Sequence, residues 1–402
     1  MSVLATATPA GATPVSVRPD RPWRRAWLTG LATWAVAYVT YLAINATFWM
    51  VRDEDPVPLR EFFNVWNRWD TGHYEYIASN GYDLSTANPA FFPLYPMLMR
   101  ALDPVLPGQM LAASLIIASI ACIAALAVFT RLAEDLFDVS TGQRTALYLI
   151  ASPFGFYLVA GYNESLFVAL CVASMYCMRK GYWWYAGAFG AFASATRYFG
   201  AALALAFVIE YLRQRDWDLR RLWWDALAVL LVPAGLIAYM VYSARTFGNP
   251  LEFAELQQSN WGHRFSAPWT SIIESVKLTD TWWHDAPFHT WFVLNVLDLG
   301  AVPVILALLV LSLVGPWKLG DQAWYLVAFG IAAFGSVLIS PVFSFGLPPL
   351  HGLPRYALEM VPLYLVLARM GQHRAFERAY LFPTIGLQSA LLLAYFSHIF
   401  IS

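Results

Sequence analysis

The first stretch of this sequence able to do chemistry sets an aspartate and a histidine among aromatic rings: Trp66-Asn67-Arg68-Trp69-Asp70-Thr71-Gly72-His73-Tyr74-Glu75-Tyr76-Ile77. Read as one helix closed by Gly81, it puts Trp66, Asp70, His73 and Ile77 at i, i+4, i+7 and i+11, on one face. The Asp70 carboxylate and His73 imidazole then project together. Such a carboxylate works as a general base, because partial burial raises its pKa while a nearby cation or hydrogen bond keeps it ionised. The alternative is an interfacial helix with Trp and Tyr as anchors and a solvated Asp70. The run Asp53-Glu54-Asp55 is a competing source of carboxylates, or simply the solvated edge of the apolar stretch before it.

Arg197 stands between two apolar half-spans, where an arginine is costly and marks a functional position unless it snorkels to the interface. Arg355 follows Pro348, Pro349, His351 and Pro354 at the start of another apolar stretch, as an anion contact or an ordinary interfacial arginine. Gln257, Gln258, Asn260, Trp261, His263 and Arg264 suit either a grip on sugar hydroxyls or a solvated amphipathic helix. Asn163 and Glu164 occupy a very short turn, facing a cavity or capping the next span. Trp69, Glu164, Gln258, Trp261, His263, Arg264 and His351 are the candidate substrate contacts.

The elements that position these residues are membrane spans. Of 402 residues, 59% are apolar and 13% are charged, against roughly 25% charged in an ordinary soluble domain. A water-soluble fold is excluded, and the chain is best counted in spans of about 20 residues. Residues 1–25 read as a disordered cytoplasmic tail ending in Arg18, Arg21, Arg24 and Arg25. Residues 26–402 read as a single all-α membrane bundle. Spans are expected near 26–51, 109–130, 145–161, 164–178, 183–196, 198–212, 226–244, 290–313, 321–340, 355–370 and 380–400, about eleven in all.

Charge decides that 183–212 is two segments meeting near Arg197 rather than one long helix. The cytoplasmic side then collects Arg131, Arg144, Arg179, Lys180, Arg213, Arg215, Arg220, Arg221, Lys318, Arg369, Arg374 and Arg378 beside the four tail arginines. Two long segments, about 52–108 and 245–289, fall outside; their many aromatics argue against disorder. The net charge of −1 gives no field for nucleic acid. Cys122, Cys171 and Cys177 all lie in apolar runs and read as buried hydrophobes.

Trp69-Asp70, His73, Ile77-Ala78, Gly81-Tyr82 and Phe91-Phe92-Pro93-Leu94-Tyr95-Pro96 occur in an order that resembles the PIG-V family of mannosyltransferases, the GPI mannosyltransferase II family. The resemblance continues at Ser152-Pro153-Phe154, Gly161-Tyr162-Asn163-Glu164-Ser165-Leu166-Phe167, Ala195-Thr196-Arg197, Phe247-Gly248-Asn249-Pro250-Leu251 and Leu353-Pro354-Arg355-Tyr356. It implies a bundle of the GT-C glycosyltransferase type and a polyprenyl-phosphate or dolichyl-phosphate sugar donor. It also implies a catalytic acid in the first external loop, which falls on Asp70 with His73 in support. A departing lipid phosphate needs positive charge where its own charge grows, which falls on Arg197 and Arg355.

The expected activity is inverting transfer of a mannosyl, or another hexosyl, residue at the non-cytoplasmic face. The acceptor is a glycolipid, a glycan or a protein, and a prokaryotic relative in a bacterial plasma membrane is the expected setting. The seven histidines are scattered and no H-E-x-x-H occurs, so no metal or other cofactor is expected; no G-x-x-x-x-G-K loop points to a nucleotide sugar. The competing classes are a lipid or sugar transporter or flippase, with Arg197 in its path, and a non-catalytic subunit. Against a transporter, no internal repeat is evident.

Overall fold

The computed structural model describes residues 21–52, 56–285, 288–343 and 346–401. Most of the expected tail and the acidic run 53–55 lie outside those residues. Among those described, the chain is helical with no strand; an isolated antiparallel bridge joins His263 to Val342. Five helical segments are long and apolar enough to cross a bilayer: Pro22–Arg52, Met110–Leu136, Thr290–Leu313, Asp321–Ile339 and Arg374–Phe396. A sixth forms if Trp224–Leu231 and Ala234–Phe247, bent by 46° at their junction, count as one span. The chain is an integral membrane protein.

Of the other expected spans, 164–178 and 183–196 are present as single helices, Glu164–Arg179 and Trp183–Thr196, while several others are broken or shorter. Trp183–Thr196 has 14 residues and so rises about 21 Å, short of a hydrocarbon core of about 30 Å. The expected pair within 183–212 is present as two helices: Trp183–Thr196 ends where Arg197 turns extended, at φ −151° and ψ 140°, before a 3₁₀ turn over Tyr198–Ala202 and the helix Leu203–Arg213. The expected span 145–161 is instead a helix, Val139–Ile150, followed by irregular chain with one 3₁₀ turn, Gly155–Leu158. The expected span 355–370 is divided into Leu353–Tyr356, Ala357–Glu359 and Val361–Met370.

These breaks are tolerated in an apolar bundle because their main-chain groups find partners inside the protein. Gln388 Nε2 donates to the carbonyls of Ile150 and Ser152 at 2.8 and 2.6 Å, and Asn163 Nδ2 donates to the Thr196 carbonyl at 3.1 Å. Arg68 Nη2 reaches the Phe396 carbonyl at 3.2 Å, capping the end of Arg374–Phe396. The packed interior runs through these breaks: Trp66, Phe156, Tyr157, Tyr162, Tyr395 and Phe396 are all buried in one cluster.

The two long polar segments are largely helical. The first contains Leu59–Asn64, Asp70–Asn80 and Leu94–Leu102; the second contains Glu252–Trp261 and Pro268–Asp285. Chain 262–264 then pairs with 341–343: Arg264 N–H donates to the Pro341 carbonyl and Phe343 N–H to the Gly262 carbonyl. That pairing closes a wall around the space between the segments.

Candidate active site

Asp70 is the first residue of its helix, Asp70–Asn80, not the middle of a longer one. Trp69 takes φ 41°, a left-handed conformation unfavourable for a bulky residue and costing on the order of 1–3 kcal/mol. Its ring is held 5.3 Å from both Tyr395 and Phe400, so packing stabilises the kink. The kink removes Trp66 from the face expected to carry Asp70, His73 and Ile77 together. As expected, Gly81 closes the helix, at φ 85°.

Asp70 lines a cavity of about 550 Å³ together with Arg197, Gln258, Trp261, His263, His351 and Arg355. Arg355 Nη2 lies 2.8 Å from Asp70 Oδ2, and Arg355 Nε lies 2.7 Å from Glu164 Oε1. Glu164 Oε1 also takes Arg197 Nη1 at 3.3 Å, and the same Nη1 reaches Glu359 Oε1 at 2.6 Å. Five charges thus alternate in sign: Asp70, Arg355, Glu164, Arg197, Glu359. Glu164 is wholly buried, beneath the cavity rather than in its wall. Its position as first residue of Glu164–Arg179 also suits a carboxylate at a helix N-terminus.

Aromatic rings fix the two arginines. The Arg355 guanidinium lies 4.7 Å from the ring centres of Tyr157 and Tyr162, and that of Arg197 lies 5.2 Å from Tyr356. Tyr162 is supported through its hydroxyl, which donates to the Arg68 carbonyl at 3.1 Å. Gly161 fits here because a Cβ would meet Ser114 Oγ at 2.6 Å and Thr71 Cγ2 at 2.8 Å; its carbonyl accepts the Thr71 hydroxyl.

The remaining candidates divide. His263 Nδ1 donates to the Ser340 carbonyl at 2.9 Å, which leaves Nε2 as the acceptor of a neutral ring; burial pushes its pKa down. Neither ring nitrogen of His351 has a hydrogen-bond partner among the described residues. Its pKa is pushed down to about 4, first by burial and then by Arg355. Besides Glu164, three candidates stand outside the cavity lining. His73 stacks on Phe91 at 4.5 Å with Nδ1 hydrogen-bonded to Asn88 at 2.7 Å, because it lies a turn along the helix from Asp70 and behind the wall formed by Phe91 and Trp261. Trp69 packs against Tyr395 and Phe400, and Arg264, whose N–H belongs to the pairing with Pro341, is exposed.

Glu359 was not singled out from the sequence, although an acid within the apolar stretch 353–370 is a signal in itself. Phe91, Phe92, Phe253 and Gln257 also line the cavity. Among the described residues no group of three or more His, Cys, Asp or Glu is gathered closely enough to hold a metal ion.

The profile of the family described as mannosyltransferase (PIG-V) matches residues 57–243, the portion that supplies Asp70, Glu164 and Arg197. That stretch is similar to the PIG-V mannosyltransferase family. Rat GPI alpha-1,6-mannosyltransferase 2 is 31% identical over 141 residues, 33% of this chain and 28% of the rat protein. The mouse protein of the same name is 30% identical over 154 residues, 36% of this chain and 31% of its own. The match therefore spans less than a third of those curated relatives. ArnT from Cupriavidus metallidurans, solved bound to undecaprenyl phosphate, superposes with a TM-score of 0.49 at 14% identity over 90% of this chain and 76% of that chain. The Archaeoglobus fulgidus oligosaccharyltransferase AglB, solved with an inhibitory peptide and a dolichol-phosphate, gives 0.44 at 12% identity over 90% and 56%. Two acids and one arginine of the ion-pair chain, Asp70, Glu164 and Arg197, come from within the matched residues, while Arg355 and Glu359 lie beyond them.

Proposed function

We propose that this chain is a GT-C-type mannosyltransferase that moves the sugar of a polyprenyl-phosphate donor onto an acceptor hydroxyl at the non-cytoplasmic membrane face, with inversion. One observation carries the reading. A carboxylate and two arginines converge on one cavity, although Asp70 and Arg355 are 285 residues apart in sequence.

In this reading Asp70 takes the acceptor proton as the hydroxyl oxygen attacks the anomeric carbon. The bond from that carbon to the phosphate oxygen breaks, and its electron pair leaves on the phosphate. Arg355 orients the Asp70 carboxylate through its Nη2 contact. The phosphate gains charge as it departs, and Arg197 and Arg355 meet that charge where it develops. Arg197 engages both of its carboxylates through Nη1, so the donor phosphate approaches the rest of the guanidinium fork from the cavity. Glu164 holds the two arginines at a fixed spacing. Trp261, Gln258, His263 and His351 supply a stacking face and hydrogen-bonding groups for sugar hydroxyls. His73 supports the wall behind Phe91 rather than the reacting atoms.

The experiment incubates purified protein in lipid with polyprenyl-phosphate-mannose and a panel of glycolipid, glycan and peptide acceptors, following mannose into product. Transfer that depends on Asp70 supports the reading. Absence of transfer to any acceptor class, with the donor intact, argues for a transporter or a non-catalytic subunit.

A further inference from the structure

Glu359 has no part in the reaction steps above, although it lines the cavity beside Arg197. It ends the 3₁₀ turn Ala357–Glu359 and is 5% exposed. An acid so far from water in an apolar bundle is costly unless it is paired. Its partner is Arg197, whose Nη1 donates to Glu359 Oε1 at 2.6 Å. Leu358 and Met360 on either side are buried, and the Met360 N–H closes the turn onto the Ala357 carbonyl at 3.0 Å. The main chain that carries the carboxylate is therefore fixed.

The same turn makes a second contact with Arg197. Tyr356 precedes Glu359 by three residues, a separation that brings side chains over one another in a 3₁₀ turn. Its ring centre lies 5.2 Å from the Arg197 guanidinium, and that of Phe167 lies 5.8 Å away. Rings attract the cation through its charge and leave open which of its nitrogens points where. Glu164 is poorly placed to decide this, because its Oε1 lies 3.3 Å from Arg197 Nη1 and already takes Arg355 Nε at 2.7 Å. Glu359 makes the shorter bond. With Nη1 anchored by carboxylates, Nε and Nη2 of Arg197 are left for an anion in the cavity.

We propose that Glu359 is a positioning residue for the transfer reaction, fixing the Arg197 fork through Nη1 so that Nε and Nη2 meet the phosphate of the lipid donor. The inference rests on the reading of that cavity as the transfer site. Glu164 sets the spacing of the two arginines, whereas Glu359 sets which edge of Arg197 faces the cavity. Glu359 acts only through Arg197, so its contribution to donor binding disappears when Arg197 is absent.

The test is a double-mutant cycle in the full chain, purified in lipid: native, Glu359→Ala, Arg197→Ala and the two together. It reads the dissociation constant of polyprenyl phosphate, the donor without its sugar, beside donor KM, kcat and melting midpoint. Glu359→Ala should weaken polyprenyl-phosphate binding about tenfold or more and raise donor KM in step. In the Arg197→Ala background the same substitution should bring no further loss beyond about twofold. Glu359→Gln keeps an acceptor oxygen for Nη1 and should bind within about threefold of native. A lowered melting midpoint with unchanged binding marks a structural ion pair and overturns the proposal. Equal loss of binding in both backgrounds overturns it too, because Glu359 then acts without Arg197, as does a Gln variant as weak as the Ala variant. Should Glu359→Ala fail to fold, Glu359→Asp, which withdraws the carboxylate by a methylene, takes its place in the cycle. If the native chain binds polyprenyl phosphate but transfers no sugar, the proposed function fails, while the binding cycle still decides the role of Glu359.

Discussion

Arg355 grips Asp70 with Nη2 at 2.8 Å while its Nε holds Glu164 at 2.7 Å. One planar fork therefore ties the proposed base to a wholly buried carboxylate, under a cavity that also presents Arg197. Arginine suits this position because its donors diverge in a rigid plane; a lysine ammonium is a single point charge on a flexible stem.

Removing that fork should be severe. Taking one partner from a buried ion pair costs about 3–5 kcal/mol, because the other charge is left uncompensated. Arg355→Ala is expected to lower the melting midpoint and abolish transfer. Arg355→Lys should keep much of the stability yet recover little activity. Thermal unfolding in detergent beside a transfer assay checks both, and a fully active Lys variant would remove the geometric argument.

Arg197 is held by aromatic contacts and by two carboxylates, so a shorter cation can still reach the phosphate. Arg197→Ala should weaken donor use much more than Arg197→Lys, seen as a larger rise in donor KM and fall in kcat/KM. If both variants retain full transfer, Arg197 is a structural ion-pair partner only.

His351 sets a pH dependence whose sign follows from its shift. Burial, then Arg355, hold its folded pKa at about 4, below the ordinary value of about 6.5. Between those values the unfolded chain binds the extra proton, so stability rises with pH across the window. The contribution is complete above about pH 6.5 and is lost as pH falls through about 4. The melting midpoint of the native chain should therefore drop more steeply than that of His351→Gln over this range. Parallel curves would show that the imidazole is not held neutral.

Membrane sidedness follows from the charge distribution. The helix bearing Asp70 should face outside, with Arg213 to Arg221 inside. Cysteines placed at the exposed positions Ser79 and Gln214 test this with an impermeant reagent on intact cells. Reaction at Ser79 alone is expected, and reaction at Gln214 would invert the topology.

Much of the frame was legible because apolar runs and charged edges are local signals. The break at Arg197 was readable from charge, and the helix end at Gly81 from the residue type. The Trp69 kink was not readable, since rings of Tyr395 and Phe400 from the far end of the chain hold it. The kink in turn decides which residues share a face with Asp70. The pairing of Asp70 with Arg355 is likewise a property of packing across 285 residues. His73 looked like a partner by helical spacing, but Asn88 and Phe91 hold its ring elsewhere. The broken segments 151–163 and 353–361 read as continuous spans because hydropathy averages over a window. It does not register that Gln388 satisfies a freed carbonyl pair.

The central claim is that the Asp70 carboxylate accepts the acceptor's proton. Asp70→Asn keeps the side chain's size and a hydrogen-bonding oxygen toward Arg355 while removing its basicity. A positioned base contributes about 10²–10⁴ in rate. Mannose transfer by Asp70→Asn in lipid, measured beside polyprenyl-phosphate binding, should therefore fall by about that factor with binding close to native. Near-native turnover in Asp70→Asn, together with loss of turnover on substituting Asp53 or Asp55, would contradict the account and move the base to the acidic run.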